Sequence, residues 1–308
     1  MRLVRMLGLC LVAICAVSAM VAVPAMAKET KEEKEEKKIW PVFSQCPLEE
    51  PEVEQCFAGI TNGGRHGGFF SLGAVTVPLN KAITLQGGLR EGLIVPATVE
   101  TLESPELKVP GGIGLLNKRI QESAEWPAEL TALWNEAKKN HEGNMYVKIE
   151  VGGKELYEIP FALDVINLLF EKGAAFTLPL KVKMTGPFLA KLGGGPCDFG
   201  NDTTPTFQYL STEPSQNGNA ANGASTLDEG NLVVLYNSRL GDVGWSVPEG
   251  AQASGCGGAY ESYVDTAINK LLFGPNNYPG PASHWAHGVT QLEGTLYMAD
   301  ASATKEKL

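Results

Sequence analysis

Five diglycine pairs, Gly63–Gly64, Gly67–Gly68, Gly87–Gly88, Gly111–Gly112 and Gly152–Gly153, punctuate the first half of the chain and separate one short apolar run from the next. Glycine adopts positive φ without steric cost, so these pairs predict turns or bulges, and a chain cut this often does not build long helices. The whole chain follows suit, with 35 Gly and 19 Pro among 308 residues. At 44% hydrophobic and 19% charged residues it can still form a core. That balance excludes a long coiled coil, a multi-span membrane protein and a fully disordered chain. A phosphate-cradling loop is the rival reading of a diglycine. No pair is followed by Lys-Ser/Thr, and none opens a helix in a GxGxxG context.

The runs between the glycines alternate apolar and polar residues or are rich in Val, Ile, Thr and aromatics. Strands are expected within 67–78, 81–88, 91–97, 107–110, 145–153, 175–186, 206–212, 230–238, 243–250 and 289–301. Val-Pro recurs at Val77, Val95, Val109 and Val247, each near the end of an expected strand. About three short helices are predicted. One candidate spans Asn117–Trp126 and is interrupted by Pro127, which is suited to begin a second helix running to Asn140; another spans Phe161–Gly173, and the last spans Tyr260–Gly274. The expected fold is mainly β, with β-sandwich-like sheets, over residues 39–302. Composition leaves open whether it is one domain or two subdomains split near residue 155. The polar stretch 211–230 is expected to be an exposed loop or disordered insertion, and residues 303–308 a frayed tail.

Residues 1–27 read as a secretory signal peptide: Arg2 and Arg5 precede an uncharged run from Met6 to Val23, followed by Pro24 and Ala25-Met26-Ala27. An uncleaved anchor is the competing reading, because the run approaches the roughly 20 residues that span a bilayer. Lipid attachment is not supported, since Cys10 and Cys15 lie inside the apolar run. Residues 28–38 hold five Lys and five Glu and read as a solvated spacer. The two signal arginines contribute +2 to the net charge of −10, so the remainder carries −12. An acidic surface argues against nucleic acid and anionic lipid as partners, and leaves membrane attachment only to an uncleaved signal.

Four cysteines follow the signal: Cys46, Cys56, Cys197 and Cys256. An even count in an exported chain predicts two disulfides. Of three possible pairings, Cys46 with Cys56 and Cys197 with Cys256 is favoured, the first closing a short loop and the second stapling the second half. Free buried thiols are the alternative. A zinc site is disfavoured because no C-x2-C pair exists.

Four ordered blocks contain all four cysteines: FSQCPLEEPEVEQC from Phe43; VPLNKAITLQGG from Val77; AFTLPLKVKMTGPFLA from Ala175, leading to CDFGNDTTP from Cys197; and ASGCGGAYESYVDTAIN from Ala253 with LEGTLYMADA from Leu292. In this order they resemble a recurrent group of uncharacterised exported, four-Cys, β-rich proteins of high-GC Gram-positive bacteria. The resemblance implies a signal peptide, two disulfides and a mainly β exported domain, with no activity attached. The chain departs from the group at Thr185-Gly186, where Asn tends to precede Pro-Phe, and in a helical insertion around Glu125–Glu142. Protein-specific binding is expected to have diverged in that insertion, although Trp126 and Trp134 are expected to pack on the sheet and not to stack a ligand.

No residue pattern specifies catalysis. His284 and His287 have the i,i+3 spacing of one helical face, but no HExxH framework accompanies them, and with His66 and His141 they read as surface-loop residues. Asp198-Phe199-Gly200 matches the kinase metal-binding word without an HRD loop. Asp198, Asn201 and Asp202 are weak calcium candidates, better explained as an Asx turn because the D-x-D-x-D-G loop and its distal Glu are missing. Ser254-Gly255-Cys256-Gly257-Gly258 is not a nucleophile elbow, and Glu261 with Asp265 is an ordinary pair one helical turn apart. The expectation is therefore a secreted or cell-surface protein that needs no cofactor and acts as a non-catalytic binding or structural component of the cell exterior. Its partner would be an extracellular or cell-wall ligand. The alternative is a secreted hydrolase of wall or environmental polymers.

Overall fold

The computed structural model describes residues 37–64, 67–90, 93–95, 103–151, 159–160, 162–163, 174–177, 180–203, 206–209, 223–246, 252–274 and 287–308. The expected signal peptide and nearly all of the spacer lie outside them.

The fold is mainly β, built from two antiparallel sheets with few helices. Its longest elements form a central ribbon of β15 (Leu232–Ser246) and β16 (His287–Asp300), paired antiparallel with two register shifts. One end of β16 pairs with β1 (Gln55–Thr61), which continues through β4 (Thr84–Arg90) and β5 (Leu93–Val95) to β8 (Ile159–Pro160). The other end of β16 pairs with β2 (Gly68–Leu72), itself in a hairpin with β3 (Val75–Pro78). On the far side of the ribbon, β14 (Gly223–Leu227) pairs with the start of β15. Further along, β15 pairs with β13 (Thr206–Tyr209), followed by β10 (Ala174–Thr177) and β9 (Ala162–Leu163). The second sheet runs β12 (Cys197–Thr203), β11 (Leu180–Thr185), β7 (Met145–Val151), β6 (Leu107–Val109).

Alternation decides the faces. In β7 the sequence MYVKIEV buries Met145, Val147, Ile149 and Val151 and turns Tyr146, Lys148 and Glu150 outward. A strand with period two does this wherever one face meets a core. The inner faces of both sheets enter one apolar cluster: Phe57, Leu72 and Val77 from the first, and Val147, Val182 and Phe199 from the second. A smaller cluster on the opposite face of the first sheet gathers Trp40 and Phe43 over Cys56, Ala58, Leu232, Val234 and Ala299.

The helices among the described residues include α1 (Lys118–Ser123), α2 (Ala128–Lys139), α3 (Pro187–Lys191), α4 (Glu261–Phe273) and α5 (Ala301–Lys307). The first candidate is two helices, with Pro127 at the start of the second as expected, and α1 is capped by the Asn117 side chain, which accepts from Ile120 N–H. The last candidate is α4, burying Val264, Ala267, Ile268, Leu271 and Leu272 at the spacing of one helical stripe.

The structure corrects several expectations. The helix expected over Phe161–Gly173 begins instead as strand at Ala162–Leu163, and 164–173 lie outside the described residues. Of the polar stretch 211–230, residues 211–222 lie outside the described residues; Gly223–Leu227 forms strand β14 on an edge of β15, and a single helical turn, Asp228–Gly230, follows. The tail expected to fray is helix α5. Asp300 caps it by accepting from Ser302 and Ala303 N–H at 2.8 and 3.1 Å, and Thr304 is fully buried. Gly87–Gly88 is not a turn but the middle of β4, where a Cβ on Gly88 would stand 2.6 Å from Val53 Cγ1. Gly111–Gly112 does turn the chain, with φ of 85° and 50°. Neither sheet is confined to one side of residue 155, since β1 pairs with β16 and β7 with β11.

Candidate functional site

Both disulfides have the favoured pairing, Cys46–Cys56 and Cys197–Cys256. Around the second, several elements converge. Cys197 opens β12, whose Asp198 exchanges backbone hydrogen bonds with Ser254 at 3.0 Å in both directions. Helix α4 holds the same segment from the other side. The fully buried Asn269 accepts from Ala253 N–H at 2.9 Å and donates to Ala253 carbonyl at 3.2 Å, and one turn earlier Asp265 Oδ1 accepts from Cys256 N–H at 2.8 Å. Residues 253–256 are therefore fixed to a strand by main chain and disulfide and to a helix by two side chains.

Asp265 is chemically distinctive within this corner. Partial burial is the main cause of a pKa pushed up to about 6, with the charge of Glu261 adding to it, while hydrogen bonds from the Cys256 and Gly255 amides oppose the rise. A carboxyl that titrates near 6 serves as a proton donor or acceptor near neutrality. Cys256 and Cys197 are both fully buried and bonded to each other, so neither sulfur acts as a nucleophile in this state.

The corner continues into the outer face of the four-stranded sheet. Lys181 Nζ lies 2.8 Å from Asp198 Oδ2, Lys183 pairs with Glu150, and Lys148 pairs with Glu103. Three lysines and three carboxylates thus neutralise one another across adjacent strands. The Lys183 pKa is raised, mainly by its hydrogen bond to Glu150 and against the cost of burial, with Asp198 and Glu103 adding to it. Lys181 is itself largely buried, which a lysine tolerates here only because its ammonium meets Asp198.

Of the weak calcium candidates, Asp198 is on strand β12 and engaged by Lys181 and Ser254. Asn201 and Asp202 follow on the same strand. His287 starts β16, and His284, like His66, lies outside the described residues. Trp126 stacks on Phe188 at 6.4 Å and donates Nε1–H to Tyr263 carbonyl, while Trp134 donates to Ile113 carbonyl. Both pack against the main core, through partners on helical segments and not on the sheet expected for them. The role of Asp265 was missed by the sequence, where it reads as half of an exposed i,i+4 pair. The one signal available was its place beside the core stripe of α4, nine residues after the Gly-flanked Cys256.

No family model, curated protein or solved structure matches the chain.

Proposed function

We propose that this chain is an exported, secreted or cell-surface protein of the kind its four ordered sequence blocks resemble, working outside the cell by binding and not by turnover. The observation that carries this reading is how the charged groups are used. On the outer face of the second sheet Lys148, Lys181 and Lys183 are each held by a carboxylate, giving a rigid neutral field of donors and acceptors on an otherwise acidic protein. Such a face suits an uncharged, hydroxyl-rich extracellular or cell-wall polymer better than a nucleic acid or an anionic lipid. Two disulfides agree with an oxidising compartment. Among the described residues, no helix is long and apolar enough to cross a membrane.

The test uses the chain from Ile39 onward on a glycan array and in pull-downs with insoluble wall polymer. Retention that the substitutions Lys148→Glu and Lys183→Glu abolish supports the reading, and retention unaffected by them overturns the assignment of this face. Asp265, with its raised pKa beside Glu261, favours a second reading as a polymer hydrolase. Release of soluble sugar that Asp265→Asn stops would establish that reading instead.

A further inference from the structure

Among the described residues, Cys197, Cys256 and Asp265 are the one group whose potential metal-ligand atoms, two Sγ and a carboxylate oxygen, all lie within 4.8 Å of one another. In the oxidised protein the sulfurs are spent on each other. We propose that reduction of the Cys197–Cys256 disulfide converts this corner into a zinc-class metal site, ligated by the two thiolates and by Asp265, with water in the fourth position.

The donor set is that of a soft to borderline cation, since thiolates select zinc or cadmium over calcium or magnesium and a carboxylate is an accepted third ligand. Opening the disulfide lets the sulfurs separate to about 3.8 Å, the span required by a tetrahedral ion with Zn–S bonds near 2.3 Å. The surroundings hold the ligands in place meanwhile. Cys197 is in β12, opposite Met184 of β11, and Asp265 is in α4, whose stripe is buried in the main core. The Asn269–Ala253 pair and the Asp198–Ser254 bridge keep the Cys256 segment in position without the disulfide. Asp265 accepts backbone hydrogen bonds from the Cys256 segment, yet a carboxylate has about four lone-pair sites, so it can bond a metal while still accepting those amides.

The chemistry balances through an external dithiol or phosphine reductant, which delivers two electrons and, with two protons from solvent, turns the disulfide into two thiols. Metal binding then displaces one proton from each thiol to water. Oxidation and metal loading are thus alternative fates of the same two sulfurs. A chain that acquires metal while still reduced would be protected from mispairing of these cysteines, and would have to surrender the ion to form the staple.

The experiment uses the purified chain, reduced with a phosphine, desalted without oxygen and titrated with cadmium or cobalt. The expected result is one ion per chain with a thiolate-to-metal absorption band and, by alkylation and peptide mapping, protection of Cys197 and Cys256 but not of Cys46 and Cys56. Asp265→Asn should weaken cadmium binding about tenfold or more. Circular dichroism recorded at each step distinguishes a folded site from a collapsed chain. Absence of the band, equal protection of all four cysteines, as an unfolded chain would give, or unchanged affinity in the Asp265 variant would each overturn the proposal.

Discussion

Two aspartates show how the same side chain acquires opposite roles. Asp300 suffers some burial, but the Ser302 hydroxyl and the Ala303 and Ser302 amides outweigh it and hold its pKa below the usual carboxylate range. Asp265 is raised to about 6, chiefly by burial. A lowered native pKa contributes stability above the unfolded value and loses it as pH falls, so the α5 cap weakens in acid. A raised native pKa does the reverse: its contribution is complete below about pH 4 and disappears as pH rises through about 6. After allowance for its partial exposure, Asp265 is worth about 1 kcal/mol. Asp265→Asn keeps the acceptor for the Cys256 amide and should flatten the pH dependence of urea midpoints between pH 4 and 6. Asp300→Ala should lose about 1 kcal/mol at pH 7, measured by the same unfolding curves.

Among the elements, legibility tracked how much of each was written in its own residues. Strand β7 was plain because MYVKIEV alternates, and α4 because its apolar residues recur at helical spacing. Strand β12, CDFGNDT, was not: Asp, Asn and Gly are poor strand formers, and pairing with β11, the Ser254 bridge and the disulfide impose its extension. Strand β1 was hidden for a related reason, since Ala58 and Gly59 carry little β preference and are fixed by neighbours on both sides. The candidate corner divides likewise, its cysteines and their pairing visible in the sequence but the Asp265 contact set by the docking of α4. The two staples should differ in weight. Residues 46 and 56 are 10 apart and residues 197 and 256 are 59 apart, so loop-closure entropy assigns about 3 and about 4 kcal/mol to them. Paired Cys→Ser variants, compared by denaturant unfolding, should rank in that order.

At the scale of the molecule, the main cluster unites residues from Phe57 to Phe273 and both sheets cross residue 155. The expected outcome is a single cooperative unfolding transition, followed by tryptophan fluorescence and far-ultraviolet circular dichroism together. A fragment from Lys37 to Val151 should lack that transition altogether, because β1 and β2 would lose β16 and β7 would lose β11. Two transitions in the intact chain, or a fragment that melts cooperatively, would mean that the core is not shared.

The placement of β16 also bears on the order in which a ribosome delivers the chain. Gln55 is opposite Asp300 and Ser71 is opposite Val289, so β1 and β2 are completed only by a strand that follows them by 245 and 218 residues. Pairing across such separations is slow and cannot begin until β16 itself has been synthesised. The first sheet therefore stays open at β1 and β2 until β16 has emerged from the ribosome, and their unpaired edges are exposed for that whole interval.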